Sequence, residues 1–417
     1  MMLFVGLILG GLSGVGLVSG SRNTRRPVVV LCLMSIGMCL SFLWPAAAVL
    51  LVACSLIPAA LLIAPRIVAG SSERKLGPPT HRRAVLLLAA IPLWMGLVDA
   101  LNGAPPDRLL RYVISAAFLL GFGVLGVTDP VSPADISRIF ALSLAISLIV
   151  GAVVDLEWIP CRAGKCSVSG ELYRGIFPSE NTPALFAAVA IAYAWAAGPH
   201  RYRRSSMVLL TTVVLATGAR TALVALPLAG LAAAAVSIAF VRRNRSRTRY
   251  LHKASASAVA VVGAAALWMM ITATPEAFSR RGSVWLAARS LGALSDPTGP
   301  GLARWQVARD LSAVPDHGAH SQYVHQLLGG GLLALVMYLG ALYLLGRRIA
   351  GASRGDVRRQ LIPLYFMAVV GLTEVVWNPA TVDALSLIIV ACVVTHPPGL
   401  RTGLGSAVAP SPMLHGR

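Results

Sequence analysis

The chain has 417 residues, 56% of them hydrophobic and only 12% charged, with a formal net charge of +20. Apolar runs long enough to cross a bilayer as helix, about 20 residues each, recur along almost its whole length. This excludes a soluble enzyme and, because short alternating strands are missing, a transmembrane barrel. The arginines gather in short loops between apolar runs, the positive-inside pattern with an added attraction to anionic membrane lipid, and not the footprint of a nucleic-acid binder. The fold class expected is an all-α integral membrane protein.

From the amino terminus, "MMLFVGLILGGLSGVGLVSGS" lacks the basic flank of a secretory signal and reads as a first span over 3–19. Further apolar runs follow at 28–43 and 46–64, separated by Trp44-Pro45, and then at 84–101, 112–127, 139–154, 183–198, 206–217, 221–241, 254–273, 326–346, 361–377 and 380–395. This makes about 12–13 transmembrane helices. Basic clusters at Arg22–Arg26, Arg66–Arg83, Arg201–Arg204, Arg242–Lys253 and Arg347–Arg359 fall on one side when the spans alternate. That side is expected to be cytoplasmic, with the amino terminus outside and the carboxyl terminus inside. The longest polar loops, 155–182 and 274–325, then lie outside. One polytopic membrane domain covers 1–395, and the Pro- and Gly-rich tail 396–417 is expected to be disordered and cytoplasmic.

Six cysteines are present. Cys32, Cys39, Cys54 and Cys392 lie in apolar runs and read as packing residues. Cys161 and Cys166, in "CRAGKC", allow a small disulfide-closed loop if that loop faces an oxidising compartment, and equally a pair of free thiols.

The loop 274–325 holds Arg280, Arg281, Arg289, Arg304 and Arg309 on the side that normally avoids cations. Guanidinium forks there suit phosphate oxygens, or else a solvated or headgroup-facing surface. The same loop ends in His317, His320 and His325. With only Asp316 beside them, their spacing is poor for a metal, whereas a single histidine can serve as a general base near neutral pH. For His325 a structural role at the helix entry is preferred. Arg220, in a tight turn between two spans, either has a partner such as a phosphate or an intramembrane carboxylate or snorkels to the interface. Glu374, near the outer end of a late span, can pair with one of these arginines, orient a histidine, or equally be an interface carboxylate reaching water. Ser179 or Asn181 can cap the helix that follows, with Pro183 in its first turn.

Four segments, in this order, resemble the O-antigen ligase and O-antigen polymerase superfamily of polytopic membrane glycosyltransferases. They are "RGIFPSENTPALFAAVAIAYA", "LATGARTALVALPLAGL", "RGSVWLAARSLGALSDPTGPGLA" and "HSQYVHQLLGGGLLALVMYLGAL", and together they cover roughly 170–345. Ala219 stands where that family usually has serine, Ser321 where asparagine commonly follows the histidine, and Ala334 where a second glycine is usual. Gly329 and Gly330 replace a frequent acidic pair or Glu-Thr.

The resemblance implies transfer of a glycan from a polyprenyl-diphosphate carrier to an acceptor hydroxyl on a glycan, lipid or protein. It places this at the outer face of the cytoplasmic membrane and needs neither metal nor cofactor. It implies His320 as the base and Arg220 and Arg281 as the diphosphate ligands. Asn181, Arg304, Tyr323 and Glu374 are further candidates for a supporting role, taken from their places in the sequence. A transporter or flippase of lipid-linked sugars is the alternative. It would place its charges near the bilayer midplane, where this sequence puts few. An inactive scaffold is the third reading.

Overall fold

The computed structural model describes residues 79–128, 130–153, 158–162, 165–199, 203–242, 247–350 and 357–395, with a few helical residues between Val28 and Met38. The expected spans 3–19 and 46–64 and the tail 396–417 lie outside the described residues.

Twelve helices and one hairpin make up the longer described segments. Three membrane-length helices come first: α1 (Pro79–Leu101), α2 (Pro106–Thr128) and α3 (Pro133–Val153). Each starts on proline, whose fixed φ and missing N–H suit the first helical position. Ser132 and Asp135 cap α3: the Ser132 hydroxyl accepts the Asp135 N–H at 3.1 Å and donates to its carboxylate at 2.7 Å. A two-stranded antiparallel hairpin follows, β1 (Trp158–Pro160) and β2 (Glu171–Tyr173), its arm closed by a Cys161–Cys166 disulfide. Next come α4 (Asn181–Ala197), α5 (Arg203–Ala216), α6 (Arg220–Arg242) and α7 (Arg247–Thr272). Two short helices, α8 (Ala277–Ser290) and α9 (Leu302–Asp310), occupy the long loop. The chain finishes with α10 (Gln322–Ala350), α11 (Val357–Val370) and α12 (Ser386–Val394).

Among the described residues, five helices are long and apolar enough to cross a membrane, and three more are apolar but shorter. The molecule is thus a predominantly helical, multi-pass membrane protein. α4 is apolar on every side because it is enclosed: nearly all of its residues are buried, in contact with α3, α5, α6 and α11. α7 instead leaves most of its apolar surface uncovered, as a lipid-facing helix does.

Long-range hydrogen bonds sort the helix ends. At one end Gln322, which opens α10, donates its N–H to Gly371 and Glu374 just past α11. Asp99 near the end of α1 there accepts the Ala303 N–H of α9 at 2.9 Å. At the other end Arg348 of α10 donates to Val393 O of α12 and Gly126 O of α2. Arg348, expected in a basic cytoplasmic cluster, is therefore buried as a strap between helix ends.

Three expectations need correction. The run 361–377 does not form one helix. α11 ends at Val370, and the apolar stretch Val375–Trp377 is irregular, Val375 half-buried and Val376 and Trp377 buried, with the Gln322 side-chain carbonyl accepting the N–H groups of Val376 (3.0 Å) and Trp377 (2.9 Å). Irregular backbone in such surroundings needs internal partners, and Gln322 supplies them. The run 380–395 is shortened for a related reason: Asp383 accepts the Ser386 N–H at 3.1 Å and starts α12 late. Finally, α4 has no side-chain cap: its N-cap residue is Glu180, whose carboxylate is taken by Lys165 at 2.7 Å, and the Asn181 amide is engaged in tertiary bonds.

Two glycines have geometric duties here. α10 is broken at Gly330 and Gly331, and Gly331 takes a φ of 64° with a virtual Cβ 2.1 Å from Pro297 O. Only glycine lets the 297–301 turn pack on that break. Gly218, between α5 and α6, takes a φ of 60° and lies under the hairpin, its virtual Cβ 2.7 Å from Leu172.

Candidate functional site

The ends of four segments far apart in sequence meet on one carboxylate, Glu374. Its Oε1 accepts Arg281 Nη2 of α8 at 2.5 Å, Asn181 Nδ2 at the start of α4 at 3.2 Å, and the Thr221 hydroxyl at the start of α6 at 3.4 Å. Arg281 Nη1 donates to the Thr373 carbonyl. The rest of the guanidinium fork is left for a further acceptor. Burial pushes the Glu374 carboxyl above its usual range, and the Arg281 charge and hydrogen bond only partly offset this.

The disulfide-closed hairpin arm extends this cluster. Lys165 Nζ lies 2.7 Å from Glu180 Oε1 and 2.9 Å from Asn181 Oδ1. Burial alone would raise the Glu180 carboxyl, but the Lys165 hydrogen bond and the charges of Lys165 and Arg162 hold it below its usual range. Asn181 thus bridges two ion pairs, amide nitrogen to Glu374 and amide oxygen to Lys165.

His320 sits next to this arrangement, half-buried, one residue before Ser321, whose hydroxyl donates to Gly371 O at 3.2 Å. Its ring lies 5.8 Å from that of His317. Burial, then the charges of Arg281 and His317, push its pKa down to about 4, so the imidazole is neutral at pH 7, the state a proton acceptor needs. His320 also has a φ of 48°, uncommon for a residue with a side chain and typical of functionally constrained positions. Trp285 Nε1, bonded to Ala319 O at 3.0 Å, pins the segment from below.

The other predicted residues are placed differently. Arg220 is exposed at the first turn of α6, next to Thr221, and has no ion pair among the described residues. Arg304 is exposed on α9, and its charge acts on Asp296. Tyr323 is in the core, its hydroxyl donating to Ala368 O at 2.7 Å and its ring 5.9 Å from Tyr338. Its placement gives it a packing role between α10 and α11.

A cavity of about 440 Å³ opens at the same end of the bundle, among α2, α9 and the 378–381 turn. Arg108, Arg111, Trp305, Arg309, His325 and Asn378 line it, with Gly318 and Ala319 on the wall next to His320. His325 is no bystander there. Its Nε2 is 3.1 Å from Asn378 Oδ1, which also accepts the Ala380 N–H at 3.0 Å. Asn378 therefore presents its oxygen, Nε2 of His325 carries the proton, and Nδ1 is left as an acceptor.

Sequence reasoning missed Lys165, Thr221, Asp99 and Arg108. Asp99 was the detectable one: a lone carboxylate closing an apolar run. It is fully buried, 2.9 Å from Arg108 Nε and 2.7 Å from the Tyr112 hydroxyl.

No family model and no curated protein matches this chain. The likeness to the ligase and polymerase superfamily rests on the four segments themselves.

Proposed function

We propose that this protein transfers a glycan from a polyprenyl-diphosphate carrier to an acceptor hydroxyl at the outer face of the cytoplasmic membrane. The observation that carries this reading is the meeting of Asn181, Thr221, Arg281 and Glu374, each from or beside one of the ligase-like segments or a late span, next to the half-buried neutral His320.

In this reading the acceptor oxygen attacks the anomeric carbon while the bond from that carbon to the diphosphate oxygen breaks. His320 takes the hydroxyl proton, and polyprenyl diphosphate leaves. Negative charge grows on the leaving diphosphate, where the remaining part of the Arg281 fork and the exposed Arg220, which has no ion pair among the described residues, stabilise it without reorganisation. Glu374 holds Arg281 in place, and Asn181 and Thr221 hold Glu374. The diphosphate is already activated, so the step needs neither nucleotide nor metal. The disulfide-closed arm, which suits an oxidising compartment, supports placing this end of the bundle outside.

The test is turnover by the purified protein in detergent with a polyprenyl-diphosphate glycan and an acceptor, with no nucleotide or metal added. Release of polyprenyl diphosphate that His320→Ala abolishes is the expected outcome. Full turnover by His320→Ala would sink the assigned base. Movement of the intact lipid-linked glycan across vesicles without its cleavage would favour transport. The grouping of these side chains at helix ends, away from mid-helix positions, argues against that second reading.

A further inference from the structure

We propose that the 440 Å³ cavity among α2, α9 and the 378–381 turn binds the acceptor, and that this acceptor is an acidic glycan carrying uronate-type carboxylates. This rests on the transferase reading and names the substrate class of its second half. The cavity falls within the size range of small-ligand sites, about 300–1,000 Å³. Its wall includes Gly318 and Ala319, which lead directly into His320; His320 itself lies just beyond that wall, so a sugar must extend past Gly318 and Ala319 to meet the base. Arg281 and Glu374 do not line it. The donor's diphosphate and the acceptor's anion are therefore given separate cations.

Charge decides the ligand class. Three guanidinium groups line the cavity against one carboxylate, Asp107. Arg108 is immobilised by the fully buried Asp99 at 2.9 Å and forms a fixed part of the wall. Arg111 is held loosely, meeting Asp107 at 3.4 Å with both side chains more than half exposed. Arg309 is 31% exposed and donates from Nε at 3.1 Å and from Nη2 at 2.5 Å to Asp316, which is itself 85% exposed. An exposed pair such as Arg111–Asp107 is worth roughly 0–1 kcal/mol, so a ligand carboxylate can take over Arg111 in a bidentate grip, with Arg309 as a second, pre-oriented cation. Around these cations the lining is that of a sugar site rather than a lipid groove. Trp305 offers a buried aromatic surface, and His325, fixed by Asn378, keeps Nδ1 as an acceptor for a sugar hydroxyl.

The full-length protein in detergent would be titrated with trigalacturonate, with neutral maltotriose, and with inorganic pyrophosphate, binding being read by calorimetry. Trigalacturonate should bind, more weakly as salt rises. It should bind at least about tenfold more weakly in Arg111→Gln/Arg309→Gln, with partial recovery in Arg111→Lys/Arg309→Lys; a tenfold loss is the scale expected when hydrogen bonds to a charged group are removed. Maltotriose binding as tight as trigalacturonate overturns the acidic class. No trigalacturonate binding, or binding untouched by the paired glutamine variant, overturns the site. Pyrophosphate binding that the glutamine variant abolishes, without uronate binding, reassigns the cavity to the donor and overturns the proposal. Because none of this requires turnover, the two readings fail separately. Uronate binding without transferase activity sinks the proposed reaction alone, and transferase activity without uronate binding sinks this site alone.

Discussion

The Arg281–Glu374 pair is the joint on which the proposed site depends, and its strength can be worked out. The two side chains are 16% and 8% exposed with the charged atoms 2.5 Å apart. At an effective dielectric near 20, unit charges about 4 Å apart attract by about 4 kcal/mol. Removing one partner of a buried pair costs about 3–5 kcal/mol because the other is left uncompensated, whereas replacing both with apolar groups is often close to neutral. Arg281→Met and Glu374→Leu should therefore each lose about 3–5 kcal/mol, and the double variant should lose less than the sum by about 2 kcal/mol or more. Reversible unfolding in mixed micelles, followed by tryptophan fluorescence, measures the cycle. A pH series adds a second, independent signature. Glu374 already titrates above its usual range, and Arg281 is its chief lowering influence. In Arg281→Met the native carboxyl should bind its proton still more tightly than the unfolded chain does. That variant should then gain stability relative to wild type as pH falls from 7 towards the unfolded carboxyl pKa of about 4.3. A coupling below about 0.5 kcal/mol, with no pH-dependent recovery, would refute the buried pair and with it the positioning of Arg281.

Other expectations are independent of that cycle. With His320 at about 4 in the free protein, kcat/KM should fall only as pH drops through about 4, while a bound diphosphate anion should move the corresponding limb of kcat upward; a free-enzyme limb at 6.5 or above would contradict the burial of His320. Gly331→Ala should destabilise by about 1–3 kcal/mol or more, since its Cβ would lie 2.1 Å from Pro297 O, whereas Gly103→Ala, at a φ of 74° with nothing within 4 Å, should lose only about 1 kcal/mol; equal losses in thermal denaturation would show that the turn does not pack on the α10 break. Cys161→Ser/Cys166→Ser should lose about 2 kcal/mol by the short-loop entropy argument and weaken transfer by loosening Lys165 from Glu180 and Asn181; unchanged thiol alkylation of the native protein with and without reductant would show the bond is not formed. Cysteines introduced at Val168 and at Arg204 should label from opposite sides of intact cells, and labelling from one side would break the assumed alternation of spans.

The legible part of the fold was the part governed by hydrophobic length. α1, α2 and α3 announce themselves by apolar runs punctuated with proline, and the structure extends them by a turn or so at their starts, where Arg82, Arg83, Asp107 and Arg108 masked the helix in an apolar scan. The same rule failed at 361–395 because hydrophobicity does not distinguish a helix in lipid from irregular backbone enclosed by protein. Val375, Val376 and Trp377 are as apolar as any span, yet their N–H groups go in part to Gln322, a residue some fifty positions earlier. No local pattern carries that information.

The candidate site divides along the same line. Arg281, His320 and Glu374 stand out singly, because a charge or imidazole beside an apolar run demands a reason. What could not be read was which of them share a partner. Asn181 looked like a helix cap, since short polar side chains before an apolar run usually cap the helix. Its amide instead spans Glu374 and Lys165, and it can do so only because the hairpin arm folds back over the start of α4. His325 looked structural because a polar residue at a helix entry usually is, and only the facing Asn378 turn makes it a cavity wall with a defined tautomer. In both cases the residue type limited the chemistry and the tertiary partner chose it. That ordering explains why no single segment could reveal the cluster: Asn181, Thr221 and Arg281, from three of the four segments, bind the Glu374 carboxylate, and Gln322, from the fourth, donates its N–H to the Glu374 carbonyl. Glu374 lies outside all four, and a linear motif has no means of registering a residue whose role is to hold the others in place.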